Sequence, residues 1–334
     1  LSIKVIRPGL LTTIQDLGRY GYQKFGVIVS GAMDIVSYKL ANMLVGNQED
    51  AAALEATLIG PELKIERDML LAITGANLNP KINGESVPLW KPLYVKKNSI
   101  LTFGTCTLGC RCYISFSGGL ITEEVLGSRS TYLRAEFGGF LGRALIKDDI
   151  LFTNDITSNG KAIFQDLKKK EKAGYAAARW HIPRFFFQKR SQHILRLIKG
   201  QHFSMLDEKA KNDFFENTFI IDSHSDRMGY RLSGPELQTA VSGELLSEAV
   251  THGTIQVPRD GKPIILLSDR QTTGGYPRIA HIASADAPLL GQLKPGDSIS
   301  FQEITLMEAE HLIIERENWL GEVKTGIQLK LESY

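Results

Sequence analysis

The sequence has little net charge, few cysteines and no long apolar run. Thirty-nine Lys and Arg stand against 37 Asp and Glu, a net charge of +2. That balance gives no electrostatic case for nucleic acid or an anionic membrane as partner. No apolar stretch approaches the ~20 residues a bilayer span needs. The opening segment, LSIKVIRPGLLTTIQ, lacks the basic-then-apolar pattern of a secretory signal. Cys106, Cys110 and Cys112 are the only cysteines. An odd number argues against a disulfide framework and for a cytoplasmic protein. Their C-x3-C-x-C spacing has no fourth thiol, and the nearest histidine in sequence is His181. Small half-buried thiols are therefore expected in place of a metal centre. There is no G-x-x-x-x-G-K-[ST], so any nucleotide bound here is not held by a P-loop.

What is present reads as a soluble, mainly β protein with a few helices. With 334 residues, 43% of them hydrophobic and 23% charged, the chain can fill two cores. From Ala51 to Leu120, short apolar segments alternate with turn signals at Gly60-Pro61, Asn83-Gly84 and Lys97-Asn98. This favours a barrel or sandwich over βαβ units. Asp34 is placed to cap a helix over Ile35–Leu44, where Val36, Leu40, Met43 and Leu44 form an apolar stripe. Glu55 lies among apolar neighbours and is either an ion-pair member or a site residue. Residues 156–192 break the β pattern. Their Lys168–Lys172 charge run and basic surroundings of Phe185, Phe186 and Phe187 suggest a linker between domains at 1–155 and 193–334. Within the second domain, 193–200 and 219–223 read as strands and Leu206–Asn217 as a short helix. Ile304–Leu320 reads as a helix with Leu306, Ala309, Leu312, Ile313 and Trp319 inward. The segment Asp226–Ser233 loosely echoes Gly18–Ser30, and Gly-Pro-Glu-Leu occurs at 60–63 and 234–237. These echoes suggest two related β domains.

Three polar, glycine-rich stretches are the candidate sites. In residues 252–278 a strand, the turn Pro258–Gly261 and a second strand lead into Ser268-Asp269-Arg270-Gln271-Thr272-Thr273-Gly274-Gly275-Tyr276. Glycines let backbone N–H groups approach a ligand, and Arg and Thr can hold an anion. The run Thr12-Thr13-Ile14-Gln15-Asp16-Leu17-Gly18-Arg19 offers a similar set. Residues 117–143, with Ser128, Arg129, Ser130 and Thr131, are the third; without a strand before and a helix after, their glycines make no dinucleotide fingerprint. Arg19 or Arg270 could clamp an anion, and Asp16 or Asp269 could orient water or a proton. The two loops are expected to face one cleft. His252, ahead of the Gln256 strand, is the histidine best placed for function.

These motifs recur in order over nearly the whole chain: Thr12–Arg19, Ser30-Gly31-Ala32-Met33-Asp34, Leu44–Asn47, Leu126–Thr131, Asp226-Arg227-Met228-Gly229-Tyr230, Gly253–Pro258 and Asp269–Tyr276. The chain thereby resembles the biotin-dependent carboxyltransferase, allophanate-hydrolase-subunit-2-like family, and within it the branch formed by the C subunits of bacterial 5-oxoprolinases. The resemblance implies two tandem cyclophilin-like β-barrel domains. It implies ATP-dependent opening of 5-oxo-L-proline to L-glutamate in a complex with a subunit-1-like (KipI/PxpB type) protein and a LamB-like (PxpA type) subunit. ATP belongs to that complex and need not be held by this chain. No Met-Lys-Met biotinylation motif is present, so no covalent biotin is expected. The resemblance also admits a carboxyltransferase subunit of a urea or amide carboxylase, or an antagonist of a Kip-type inhibitor of a sporulation kinase. The motifs place Asp16, Arg19, Asp269 and Arg270 as catalytic candidates. Thr12, Thr13, Gln15, Ser30, Asp34, Asn47, Ser128, Arg129, Ser130, Thr131, Asp226, Arg227, His252, Gln256, Gln271, Thr272, Thr273, Gly274 and Tyr276 are the small-molecule-binding candidates.

Overall fold

A computed structural model describes residues 2–182, 193–239 and 245–334. The chain forms two compact units. The first comprises Leu1–Arg19, Asp34–Phe187 and Trp319–Tyr334; the second comprises Tyr20–Met33 and Gln188–Asn318. The expected triple-Phe linker segment lies outside the described residues.

The first unit is built on two antiparallel sheets. One runs, from edge to edge, Leu120–Ile121, Ile150–Thr153, Ser2–Arg7, Glu62–Ile65, Ile100–Thr102, Lys81–Ile82 and Glu85–Ser86. The other runs Tyr175–Ala177, Pro92–Val95, Met69–Asn77, Leu108–Phe116, Ala53–Thr57 and Leu11–Gln15. The strand Met69–Asn77 explains the layering. Its side chains alternate between faces. Met69, Leu71 and Ile73 enter the core shared by the two sheets, with Ile3, Leu63 and Leu101. Leu70 and Ala72 point the other way, into a second core with three helices. A strand covered on both faces reads as a continuous apolar run, as MLLAI does.

The helices on that outer face are α1 (Ile35–Leu44), α2 (Ser158–Lys169) and the end of the long C-terminal helix. Asp34 caps α1 by accepting from Ser37 N–H at 2.9 Å, as expected from sequence. For α2, the cap is Thr157, whose hydroxyl accepts from Gly160 N–H at 3.1 Å.

Two expectations are corrected here. Among the described residues the first unit's strands form two sheets and no closed barrel. The region 156–182 is not a free linker. Ile163, Phe164 and Leu167 are spaced to bury one face of α2, and Tyr175–Ala177 adds an edge strand beside Pro92–Val95. The charge run Lys168–Lys172 masks this stripe in sequence.

The second unit is a closed seven-stranded barrel. Its order is His193–Lys199, Arg278–Ile282, Thr254–Gln256, Ile264–Leu266, Gly229–Ser233, Phe219–Ile221 and Ser298–Glu303. A parallel pairing of the last strand with the first closes the ring. The core is apolar. Phe214, from α3 (Glu208–Glu216), stacks on Phe301 with ring centroids 4.6 Å apart. The turn read from Pro258–Gly261 is present: Gly261 has φ +73° and its N–H donates to the Pro258 carbonyl at 3.0 Å. A short α4 (Ala287–Gln292) follows the barrel strand Arg278–Ile282.

The final helix, α5, covers Leu306–Glu332, longer than the expected 304–320. It opens with a capping box. Thr305 N–H donates to Glu308 at 2.7 Å, and Glu308 N–H donates to the Thr305 hydroxyl at 3.2 Å. Leu306, expected inward, is 62% exposed because it sits in this first solvated turn. No helix among the described residues is long and apolar enough to cross a membrane.

Candidate functional site

In the first unit, the end of the strand Leu11–Gln15 is tied to the loop 125–143. Asp16 makes the tie. Its carboxylate accepts from Gly18 N–H at 2.8 Å, Ser128 hydroxyl at 2.7 Å, Arg129 N–H at 2.5 Å and Ser130 hydroxyl at 2.5 Å. Three of these donors converge on Oδ1 and one on Oδ2. Thr131 adds two bonds to the Ile14 carbonyl, from its N–H at 3.0 Å and its hydroxyl at 2.9 Å.

Arg19 is fully buried under the same loop. It donates to the carbonyls of Val125 at 2.8 Å and Ser130 at 3.1 Å. Its guanidinium lies 4.7 Å from the centre of the Phe137 ring. Gly138 leaves room for it: a Cβ there would stand 2.2 Å from the Ser130 carbonyl oxygen and 2.9 Å from Arg19 Nη2. Asp16 and Arg19 thus hold the loop's shape. A cavity of about 580 Å³ borders it, lined by Thr122, Glu123, Glu136, Phe137 and Phe140 among others.

The other first-unit candidates bond to backbone and side-chain groups of the same unit. Thr12 donates to the Pro8 carbonyl at 2.6 Å. Gln15 donates to the Thr13 hydroxyl at 3.0 Å, and its buried Oε1 meets no donor among the described residues. Asn47 donates to the Phe116 carbonyl at 2.8 Å and accepts from Gly118 N–H at 2.8 Å. Arg129 pairs with Glu124 at 2.8 Å. Glu55 accepts from the Tyr113 hydroxyl at 2.7 Å, which in turn accepts from Asp34 N–H at 2.7 Å. The Arg111 guanidinium lies 3.9 Å away, so this buried carboxylate has its partners inside the fold. Cys110 and Cys112 are buried in the strand Leu108–Phe116, and Cys106 is half-buried. Burial pushes the Cys112 thiol well above its ordinary range.

In the second unit the expected ligand loop leaves the barrel after Ile264–Leu266. Asp269 and Arg227 form a buried, two-pronged ion pair, Nε to Oδ2 at 2.9 Å and Nη2 to Oδ1 at 3.0 Å. Arg227 also donates to the Gly31 carbonyl at 2.6 Å. Both pair members are over 90% buried. Asp269 therefore anchors Arg227 and the segment around Gly31. Neighbouring Ser30 is buried with φ +56°, and its hydroxyl meets no partner among the described residues. Asp226 is exposed and accepts from Met228 N–H at 2.7 Å.

Arg270 is different. It donates to the Leu267 carbonyl at 3.1 Å, while its buried Nε–H meets no acceptor among the described residues. Burial lowers its pKa, opposed by Tyr20 and Asp269. His252 and His281 are half-buried beside it. His281 lies 3.4 Å from the hydroxyls of both Thr251 and Thr254. Burial, then the Arg270 charge, lowers both imidazoles, His252 to about 3. Gln256, buried, donates to the Tyr276 carbonyl at 3.4 Å, with Gly274 against its carboxamide. Thr273–Gly274 pairs as a short strand with Glu248–Ala249. Gln271 and Thr272 are half-buried, and Tyr276 is exposed. The expectation of a shared cleft concerns loops on two different units.

The sequence reading missed His281, Tyr20 and the Gly31 carbonyl. A histidine inside the apolar strand RIAHI was the available signal for His281.

His252 sets a pH dependence. Its folded pKa lies below the ordinary ~6.5, so between about pH 3 and 6.5 the unfolded chain binds the extra proton. Stability is full above pH 6.5 and falls as pH drops through that window. Between pH 7.5 and 5 this one group costs ~1–2 kcal/mol. Urea unfolding at the two pH values should show that loss in the wild type and a smaller one in His252→Asn. Equal losses in both proteins would contradict the assignment.

The chain matches the carboxyltransferase domain family, subdomain A and B, over residues 25–303. It is 34% identical over 318 residues to the C subunit of 5-oxoprolinase from Haemophilus influenzae, covering 95% of this chain and 96% of that protein. It is 36% identical over 307 residues to the C subunit of 5-oxoprolinase from Escherichia coli, covering 92% and 93%. Among solved structures, the K. lactis urea amidolyase superposes with a TM-score of 0.84 at 30% identity. That match covers 96% of this chain and 20% of the larger one. On this match and these near full-length likenesses, the chain belongs to the carboxyltransferase domain, subdomain A and B, family of enzymes.

Proposed function

We propose that this chain is the C subunit of a multi-subunit, ATP-dependent 5-oxoprolinase, converting 5-oxo-L-proline, ATP and water to L-glutamate, ADP and phosphate. The observation that carries the reading is the end-to-end identity with two 5-oxoprolinase C subunits, over 96% and 93% of their lengths. The protein acts with a subunit-1-like (KipI type) partner and a LamB-like subunit, in the cytoplasm, and holds no biotin. ATP serves the assembly.

A five-membered lactam is a weak electrophile with a poor leaving group. Phosphorylation of the amide oxygen makes ring opening feasible, and it calls for cations and N–H donors around the developing charge. The loop 268–276 is the part of this chain we assign to the substrate, with Gln271, Thr272 and Thr273 as donors to that charge, Arg270 as the cation that holds the substrate, and His252 and Gln256 beside it. His252 acts as a neutral hydrogen-bonding ring, because a base held near pKa 3 is mismatched to neutral pH. Asp16, Arg19, Asp269 and Arg227 position the loops. The first unit's two sheets are, on this reading, an opened counterpart of the second unit's cyclophilin-like barrel.

A second reading, the carboxyltransferase part of a urea or amide carboxylase, is favoured by the TM-score of 0.84 to the urea amidolyase. Reconstitution with the two partners, and in parallel with a biotin carboxylase and its biotin carrier, separates them. Glutamate formed from 5-oxoproline and ATP, indifferent to avidin, supports the proposal. Urea-dependent ATP hydrolysis that avidin abolishes supports the second reading and overturns the first.

A further inference from the structure

Arg270 is a partly buried cation with no ion-pair partner among the described residues. Its Nε–H is buried and meets no acceptor, and no carboxylate pairs with its guanidinium among the described residues. The adjacent Asp269 acts on Arg270 only through its charge, while its two oxygens bond the Arg227 guanidinium. The groups that act on Arg270 electrostatically are Tyr20, Asp269, His252 and His281. A buried charge without a partner is costly, so this arrangement suits a site whose anion arrives as ligand.

We infer that Arg270 is the carboxylate anchor of the second unit, taking the carboxylate of a small cyclic amide acid. The identity of that acid as 5-oxoproline rests on the function proposed above; the anchoring role rests on the arginine's surroundings. A guanidinium presents parallel N–H donors that match a carboxylate. The charge count also favours a monoanion. With His252 held neutral down to about pH 3, Arg270 stands as a single positive charge flanked by neutral rings.

The test measures KM for 5-oxoproline and for ATP in the assembled enzyme, with Arg270→Gln and Arg270→Lys in this chain. Loss of a charge-assisted hydrogen bond predicts that Arg270→Gln raises KM for 5-oxoproline on the order of 10- to 100-fold. KM for ATP stays put. Arg270→Lys, keeping the charge but not the fork, falls between. The variant also loses the preference for 5-oxoproline over 2-pyrrolidinone, the same ring without a carboxylate, as a competitor. An unchanged KM for 5-oxoproline, a loss confined to kcat, or a shifted KM for ATP would overturn the inference. A wild-type assembly with no activity counts against the proposed function, and the anchor is then read directly. In the full chain, 5-oxoproline or acetate should move the imidazole resonances of His252 and His281 saturably in the wild type and not in Arg270→Gln. No movement in the wild type would overturn the anchor by itself. Matching thermal melts and far-UV spectra confirm that the variants fold.

Discussion

Asp269→Ala should destabilise the second unit by about 3–5 kcal/mol, the usual cost of removing one partner from a buried ion pair. The size follows from what is left behind. Arg227 loses both of its carboxylate bonds, at 2.9 and 3.0 Å, and keeps the Gly31 carbonyl at 2.6 Å. Its guanidinium is then a buried cation that has lost its carboxylate. The segment around Ser30, held through Gly31, loosens with it. Asp269→Asn, which retains one acceptor oxygen, should lose less. Chemical denaturation of the isolated chain measures both. An alanine variant as stable as the wild type, yet inactive in the assembly, would return Asp269 to a chemical role.

Asp16→Asn should be nearly as damaging in the first unit, with a loss of about 3 kcal/mol or more. Four donors converge on this carboxylate, from Gly18, Ser128, Arg129 and Ser130. A carboxamide replaces one acceptor oxygen with an NH2 donor that faces donors, and each buried unsatisfied group costs ~1–3 kcal/mol. The loop 125–143 should become the first site of limited proteolysis, and the melting temperature should fall. If Asp16→Asn keeps its stability and its protease resistance, the carboxylate is not the tie described here.

Local chemistry made much of the fold legible. Pro258–Gly261 announced its turn because Pro fixes φ and Gly accepts a positive φ, and Ile255 does pair with Ile265 across it. Asp34 announced the start of α1. The two-sheet arrangement of the first unit was not legible, because it depends on pairings such as Ser2 with Phe152 that no local pattern encodes. Helix α2 was hidden by the lysines that follow its apolar stripe. The capping box at Thr305 and Glu308 marked the true start of α5 two residues after the one expected.

The polar loops were located from residue type and spacing, but the division of labour within them was not. Asp16 and Asp269 look alike as carboxylates beside an arginine. Their partners lie far off in sequence, at Ser128 and Ser130 in one case and Arg227 in the other. Both turn out to be spent on those partners. The neighbouring arginines part company for the same reason: Arg19 donates to two carbonyls under Phe137, whereas Arg270 retains a buried donor. Only tertiary packing separates a cation that holds a loop from one that waits for a ligand.

The measurement closest to the central claim is glutamate release from 5-oxoproline and ATP by the two partner proteins, with and without this chain. The account predicts release only when all three are present, and none from this chain alone. Equal release by the partners without it would contradict the claim that the chain is an obligatory part of the enzyme.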